Sequence, residues 1–376
     1  MPEDGGASSE EPRKKQKKKL TRREKGKIAL IVIGSFLGLI ALLAVILAPI
    51  IVEGNKVITR DGAEPNIYLT EWMNYISDDA PVTDLAIPGS HDSGCFGMPW
   101  YAETQDLNFA EQLERGVRYF DIRVNKKGGD YVIFHGPVNG TDYVDLLYQI
   151  DEFMDAHPSE FLILDFSHFK NGSEEGVFAL FDEIVGAERV VNNTKMTDAA
   201  FLDSLTLGDV RGKCIVFIDP EETDFYCRDY FFFKSGDTVG DDAQTEYASL
   251  VSPYKKIWSG STAKKFVGSI LDRYIDTFRG VNRGFFVLQC QLTDNALVFG
   301  PRFREGKLIE RANAFVEALY DDADRLSYIN IVMRDFVTCE KCALTVRLNI
   351  AKGYASADTL TEFSASLNAF AGIAEE

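Results

Sequence analysis

The chain has 376 residues, of which 45% are hydrophobic and 26% charged, and its formal net charge at pH 7 is −18. The first 27 residues carry ten Lys/Arg and five Asp/Glu, a local net charge of +5, so the remaining residues together carry −23. Such an acidic chain argues against nucleic acid as a partner and against adsorption to anionic lipid through a basic patch.

The basic start leads into a continuous apolar segment, residues 28–52, that contains no charged residue. It is longer than the roughly 20 residues needed to cross a bilayer core, and longer than the roughly 7–15 apolar residues of a cleavable signal peptide. Because Lys and Arg precede the segment, the positive-inside rule places the N-terminus in the cytoplasm. We therefore expect a single-pass protein of the cell membrane, with a cytoplasmic tail (1–27), a transmembrane helix (28–52), a stalk (53–74) and an extracellular domain.

About 320 residues follow the apolar segment, which is enough for one large α/β domain. Apolar β-like runs alternate there with helical patterns of 3.6-residue period, and this alternation predicts a parallel sheet. The predicted strands are 83–87, 117–124, 131–136, 160–167, 213–219, 255–259, 284–292 and 329–337. The helical patterns cover 109–115, 143–157, 174–185, 261–278 and 307–326.

Eight strands in one unbroken domain favour a TIM-like (β/α)8 barrel, distorted or incompletely closed, over an open doubly wound sheet. No GxGxxG motif follows the first predicted strand, so the main positive sign of a dinucleotide-binding fold is missing. The sequence therefore predicts an α/β fold of the barrel class.

Polar side chains stand where these predicted strands end, and barrel enzymes carry their active sites at that end. The set brings two histidines, one arginine and two or three carboxylates to one face, with His168 as a further candidate. It consists of His91 and Asp92 after the first strand, Asp121 and Arg123 in the second, His135 in the third, Ser167 and His168 in the fourth, and Asp335 in the eighth.

This combination of residue types favours phosphodiester cleavage. Two imidazoles can supply a base and an acid to the same reaction, because histidine gains and loses protons near pH 7. An arginine between them suits a phosphate, whose oxygens match the guanidinium fork. A buried aspartate beside a histidine holds its tautomer and stabilises its charged form.

Six segments resemble, in this order, the X domain of bacterial-type phosphatidylinositol-specific phospholipase C. They are LAIPGSHDSGCFG (85–97), FAEQLERGVRYFDIRV (109–124), VIFHGPV (132–138), HPSEFLILDFS (157–167), LTLGDVRGKCIVF (205–217) and INIVMRDFV (329–337). The motifs SHDS, FDIR and HG at this spacing carry the resemblance. It implies an X-type catalytic barrel over 75–338, with a C-terminal extension packed on it over 339–376.

The resemblance implies a role for each matching side chain. His91 would take the proton of the inositol 2-hydroxyl, and His135 would protonate the departing diacylglycerol oxygen. Arg123 would hold the phosphate, Asp335 would pair with His91, and Asp92 would join the proton and phosphate network. The products would be diacylglycerol and a cyclic inositol phosphate. The implied partner is a phospholipid in the membrane, and we expect the protein to be a monomer.

The resemblance also bears on metal use. Calcium-dependent relatives carry an acidic residue at the position of Arg123. We therefore expect no metal and no other cofactor, with Asp121 left to contact substrate rather than Ca²⁺.

Departures from the family pattern concern the headgroup. Bacterial members hold it with basic residues after the fourth and fifth strands, where this chain has Ser167 and Asp219. Trp100, with Met98 and Tyr101, would form a rim that dips into the bilayer. Two alternatives stay open: a phosphodiesterase for another glycerophospholipid or a glycerophosphodiester, and a catalytically silent lipid-binding domain.

The six cysteines include the motif CEKC at 339–342. No second CxxC and no paired histidine follows it, which argues against a zinc site. A local disulfide and two free thiols both fit the motif.

Overall fold

The computed structural model describes residues 20–58, 63–172, 174–191, 199–218, 231–233, 249–254, 262–292 and 300–374. The chain divides into two compact units, Met1–Pro49 and Ile50–Glu376. Helix α1 (Arg22–Ile58) accounts for the described part of the first unit. Within the described residues one segment, Arg22–Glu53, is long and apolar enough to cross a membrane, and its most apolar 18-residue stretch has a mean hydropathy of 3.0. A signal sequence near an N-terminus meets the same criterion.

The second unit is built on a ten-stranded sheet whose main path runs in the order β7-β6-β5-β2-β1-β10-β9-β8. All pairings along this path are parallel. The strands are β1 (Ile87–Ser90), β2 (Tyr119–Lys127), β3 (Asp130–His135), β4 (Val138–Asp142), β5 (Leu162–Lys170), β6 (Cys214–Ile218), β7 (Phe231–Phe233), β8 (Leu250–Val251), β9 (Phe285–Gln289) and β10 (Ile331–Arg334).

Eight parallel strands therefore form a TIM-barrel-like sheet, the class that the alternation predicted, but two of them, β7 and β8, were not among the predicted strands. Among the described residues β7 pairs only with β6 and β8 only with β9, so the sheet is not closed. Every residue of β1, β6, β9 and β10 is buried, as expected of parallel strands that are covered on both faces. The predicted strand at 255–259 lies outside the described residues.

The prediction that the third strand belongs to the barrel is wrong. Residues 130–135 form β3, which pairs antiparallel with β2 and then with β4, off the main path of the sheet. Only Gly128 and Gly129 separate β2 from β3. A parallel crossover needs a dozen or more residues, whereas two suffice for an antiparallel hairpin. His135 is thus carried by a hairpin arm rather than by a barrel strand.

The helices pack on the faces of the sheet and include those that the periodicity predicted. Helix α10 begins at Pro301, six residues before the predicted start, because Gly300 and Pro301 form its N-terminus. The remaining helices are α2 (Ile67–Thr70), α3 (Phe109–Glu114), α4 (Tyr143–Ala156), α5 (Glu174–Phe181), α6 (Ala199–Asp203), α7 (Leu207–Val210), α8 (Thr262–Lys265), α9 (Leu271–Arg279), α10 (Pro301–Ala318), α11 (Ala323–Leu326), α12 (Cys339–Val346), α13 (Leu348–Ala351) and α14 (Leu360–Ala371).

A buried ion pair holds the start of β2, the strand that carries Asp121 and Arg123. Arg118 donates from Nε to Glu160 Oε2 at 2.9 Å and from Nη1 to two backbone carbonyls at 2.8 Å. Both side chains of the pair are completely buried. The pair thereby ties β2 to the segment that enters β5.

We expect Arg118→Met to lower the free energy of unfolding by about 3–5 kcal/mol, because it leaves the Glu160 carboxylate buried without its cation. Urea denaturation of the full chain in detergent measures the effect. Adding Glu160→Gln removes the uncompensated charge and is expected to restore part of the loss. A single variant as stable as the wild type would contradict the role given to this pair.

Candidate active site

A cavity of about 350 Å³ opens at the carboxyl end of the parallel strands. Strand β1 lies between β2 and β10, with Ser90 level with Phe120 on one side and Arg334 on the other. This register brings the residues after β1 beside those of β2 and those after β10. Gly89 permits the close packing, because a Cβ there would lie 2.9 Å from the Tyr119 ring and 3.0 Å from Ile331.

His91 and Asp335 form a buried pair across the β1–β10 junction. Nδ1 of His91 lies 2.7 Å from Oδ1 of Asp335. Nε2 of the same ring lies 3.4 Å from Oδ2 of Asp92. Burial by itself lowers the pKa of His91, but the carboxylates of Asp92 and Asp335 outweigh it and raise that pKa to about 9. For Asp335 the effect of burial exceeds that of the neighbouring His91, and its pKa is raised above the ordinary value.

We expect Asp335→Asn to lower the pKa of His91 by about 1–3 units, because the substitution removes one of the carboxylates that stabilise the imidazolium. The midpoint of the His91 titration, followed by NMR, is therefore expected near pH 9 in the wild type and at lower pH in the variant. A midpoint at the same pH in both proteins would contradict the pairing.

Arg123 is the cation of the site and is held by two carboxylates. Its Nε lies 2.5 Å from Oδ1 of Asp92, and its Nη2 lies 3.3 Å from Oδ2 of Asp121. Burial lowers the pKa of Arg123, yet Asp92 and Asp121 outweigh burial and raise it above the ordinary value. About a fifth of the side chain is exposed, so the guanidinium is both oriented and reachable from the cavity.

His135 reaches the cavity from the end of the β3 arm. Its Nδ1 lies 2.8 Å from the carbonyl oxygen of Ala102, which can only accept a hydrogen bond. Nδ1 therefore carries a proton, and Nε2 faces Oδ2 of Asp92 at 3.6 Å. Asp92 thus has both imidazoles near one carboxylate oxygen and Arg123 on the other.

Two turns beside the histidines are held in a left-handed backbone conformation. Asp92 has φ +45° after β1, and Phe336 has φ +45° after β10. The segment at residues 104–105 ties these turns together. Thr104 donates from its hydroxyl to the Asp92 carbonyl and accepts from the Phe336 N–H. Gln105 donates to the carbonyls of His91 and Arg334 and accepts from Val337 N–H. Nothing in the sequence pattern had identified these two residues.

Asp121 and Ser167 also lie at the cavity, as predicted, and they contact each other. Ser167 Oγ donates to Oδ1 of Asp121, and Oδ2 of Asp121 accepts the backbone N–H of Asp92 at 3.0 Å. His168 Nδ1 lies 3.2 Å from Ser167 Oγ. These contacts make a continuous polar chain from His168 to the carboxylates that hold Arg123.

The remaining predicted contacts lie elsewhere. Trp100 is more than half exposed and does not line the cavity, although Ala102 in the same turn accepts the hydrogen bond from His135. Asp219 lies outside the described residues.

The rest of the cavity wall includes polar residues that the sequence analysis missed. Tyr119 donates from its hydroxyl to Asp165 Oδ2 at 2.7 Å, and Gln289 donates to Ser252 Oγ at 2.8 Å. Single polar residues inside the apolar runs LILDF and FVLQC were the available signal for Asp165 and Gln289. Hydroxyl, amide and carboxylate groups of this kind can hydrogen-bond a ligand that is rich in hydroxyls.

His91, Asp92 and Asp121 bring ligand-type atoms within 4.8 Å of one another, which is a spacing that a metal ion could use. Arg123 already contacts both carboxylates of this group, at 2.5 Å and 3.3 Å. A divalent cation would have to displace or oppose that guanidinium. Independence from metal therefore stays a prediction, to be tested directly.

The CEKC motif forms the start of α12. The thiol of Cys339 donates to the carbonyl of Ala63 at 3.2 Å, and Cys342 is a buried free thiol. The structure thus has the two thiols rather than the local disulfide.

Residues 79–219 match the family model "Phosphatidylinositol-specific phospholipase C, X domain". The chain is 34% identical over 171 residues to the human PI-PLC X domain-containing protein 2, covering 36% of this chain and 54% of the human protein. It is 30% identical over 218 residues to the 1-phosphatidylinositol phosphodiesterase of Staphylococcus aureus strain Newman, covering 54% and 65%. The chain thus spans between about half and two thirds of the length of these relatives.

Solved structures agree on the fold. The phosphatidylinositol-specific phospholipase C from Listeria monocytogenes superposes with a TM-score of 0.57 at 19% identity, over 74% of this chain and 98% of that structure. A Staphylococcus aureus enzyme of the same name, the F249X mutant, superposes with a TM-score of 0.53 at 15% identity, over 74% and 97%. Residues 79–219, on a TIM-barrel-like α/β fold, thus match the phosphatidylinositol-specific phospholipase C X-domain family.

Proposed function

We propose that the protein is a membrane-anchored phospholipase C that cleaves phosphatidylinositol or a related inositol lipid into diacylglycerol and a cyclic inositol phosphate. The observation that carries the proposal is the arrangement around Asp92. His91 and His135 approach one of its oxygens with their Nε2 atoms, and Arg123 contacts the other. A base, an acid and a fixed cation therefore face one small cavity.

In this mechanism His91 takes the proton of the inositol 2-hydroxyl on Nε2, while the hydroxyl oxygen forms a bond to phosphorus. The bond between phosphorus and the glycerol oxygen breaks, and His135 donates its Nε2 proton to that oxygen. Asp335 stabilises the imidazolium that forms on His91. Arg123 stabilises the negative charge that develops on the phosphate oxygens.

The anchor and its orientation are part of the proposal. The apolar segment of α1 is 0% buried over its most hydropathic window, which suits a lipid-embedded helix. Ten basic residues precede it, so we infer a cytoplasmic N-terminus and an extracellular catalytic domain, with its barrel over 75–338. Trp100 and Tyr101 are exposed, in the turn that accepts the His135 hydrogen bond, and are suited to contact the interfacial region of the bilayer.

The test is turnover of phosphatidylinositol in mixed micelles by the full chain, followed by phosphorus NMR. We expect a five-membered cyclic phosphate to accumulate, and we expect chelators of divalent cations to leave the rate unchanged. Micelles of phosphatidylcholine and free glycerophosphoinositol serve as competing substrates. Faster cleavage of either would contradict the substrate assignment, a rate abolished by chelation would contradict the mechanism, and lipid binding without turnover would favour a silent lipid-binding domain.

A further inference from the structure

The lysine inside the CEKC motif is buried next to the site. Lys341 is only 2% exposed, and its Nζ donates to the carbonyl oxygens of Asp335 and Phe336, each at 2.7 Å. The same atom lies 2.6 Å from Oε1 of Glu305. These three contacts match the three protons of an ammonium group.

Glu305 connects Lys341 to the end of strand β10. Its carboxylate also lies 3.3 Å from Nη2 of Arg334, which donates to Asn313 at 2.9 Å. All these side chains are buried. Buried ion pairs contribute little net stability, because the charges must first be desolvated. The network therefore calls for an explanation other than stability.

The backbone groups that Lys341 holds belong to the turn that aims Asp335. The Asp335 side chain reaches His91 at 2.7 Å, while the next residue, Phe336, has φ +45°. A non-glycine residue keeps such a conformation only when its surroundings enforce it. Lys341 donates to the carbonyl oxygen of the peptide that enters Phe336 and to that of the peptide that leaves it. The N–H of Phe336 donates to the carbonyl of Thr104.

We propose that Lys341, held by Glu305, is a positioning residue that fixes the turn after β10 and so directs the Asp335 carboxylate to Nδ1 of His91. The consequence for turnover rests on the proposed function, whereas the geometric claim can be tested without substrate. Lys341 touches neither the cavity nor the reacting atoms, and acts through Asp335 alone.

A positioning role of Lys341 and a purely electrostatic one predict opposite changes in the pKa of His91. The ionisable groups that face His91 are Asp92, Asp121, Arg123, His135 and Asp335. If Lys341 acted only as a nearby positive charge, removing it would raise the pKa of His91. If it positions Asp335, removing it weakens the His91–Asp335 contact and lowers that pKa.

The experiment measures the His91 titration by NMR in the full chain in detergent micelles, with carbon-13 in the four histidines of the sequence. The variant is Lys341→Met. The matched control is Lys352→Met, which removes a nearly buried lysine paired with Asp84 at 2.6 Å, before β1. We expect the pKa of His91 to fall by about one unit or more in Lys341→Met, and to stay at the wild-type value in Lys352→Met. We expect kcat for phosphatidylinositol to fall about 100-fold in Lys341→Met only.

An unchanged or raised His91 pKa in a folded Lys341→Met variant would overturn the proposal. If Lys341→Met fails to fold, the variant Glu305→Asp tests the proposal instead. It keeps every charge, but its shorter side chain moves the carboxylate away from Lys341. A lowered His91 pKa in Glu305→Asp supports positioning, and a wild-type value overturns it. If the wild type hydrolyses no phosphatidylinositol, the proposed function fails, while the His91 titration still decides the role of Lys341.

Discussion

Replacing His91 by alanine is expected to lower kcat for phosphatidylinositol by about 10²–10⁴-fold, since the variant loses the group that we propose as the base for the hydroxyl proton. His135→Ala is expected to cause a loss of similar size with the natural substrate, where a poor alkoxide leaving group needs a proton. Initial rates in mixed micelles measure both, with circular dichroism to show that each variant is folded.

A substrate with an acidic leaving group separates the two roles. In an inositol phosphodiester of nitrophenol the departing oxygen needs no proton. We therefore expect His135→Ala to recover most of its rate on this compound, while His91→Ala stays impaired. Equal impairment of both variants on the nitrophenyl substrate would contradict the assignment of His135 as the acid. His157 provides the matched control, because it pairs with Glu71 at 2.9 Å and does not line the cavity.

Replacing Arg123 by methionine is expected to lower kcat by about 10²–10³-fold, because the proposed mechanism uses the guanidinium charge to stabilise the transition state. Arg123→Lys keeps the charge but not the fork that contacts both Asp92 and Asp121. We expect the lysine variant to fall between the wild type and Arg123→Met.

The Arg123 variants need a stability control, because Asp92 and Asp121 lose their cation when the guanidinium is removed. Arg279→Met supplies it: Arg279 contacts Asp276 at 3.2 Å and Asp324 at 2.7 Å on the protein surface, outside the cavity. Its kcat is expected to match the wild type. A wild-type rate in Arg123→Met would show that the phosphate is held by other groups and would remove Arg123 from the mechanism.

Local patterns in the sequence predicted most of the strand and helix framework, although not β7 and β8. The apolar run at 28–52 lies within α1, and the alternation of strands and helices gives the parallel, TIM-barrel-like sheet. Both signals depend on short-range periodicity, which burial of one face or of both faces imposes directly. Motifs at strand ends likewise located His91 and Arg123 beside the cavity, because the topology of a barrel brings strand ends together wherever they stand in the chain. His135 lies at the same cavity although its strand stands outside the main path of the sheet.

The tertiary structure decided what depends on contacts between distant segments. Asp335 lies 244 positions from His91, and only the β1–β10 pairing and the turn after β10 bring them to 2.7 Å. His135 proved to stand on an antiparallel arm, since a two-residue connection cannot make a crossover. Gln105 and Lys341 act on backbone carbonyls, and such contacts leave no periodicity or motif in the sequence. The sequence by itself thus determined most of the framework and the candidate site residues at strand ends, while the contacts that orient those residues arose only from packing.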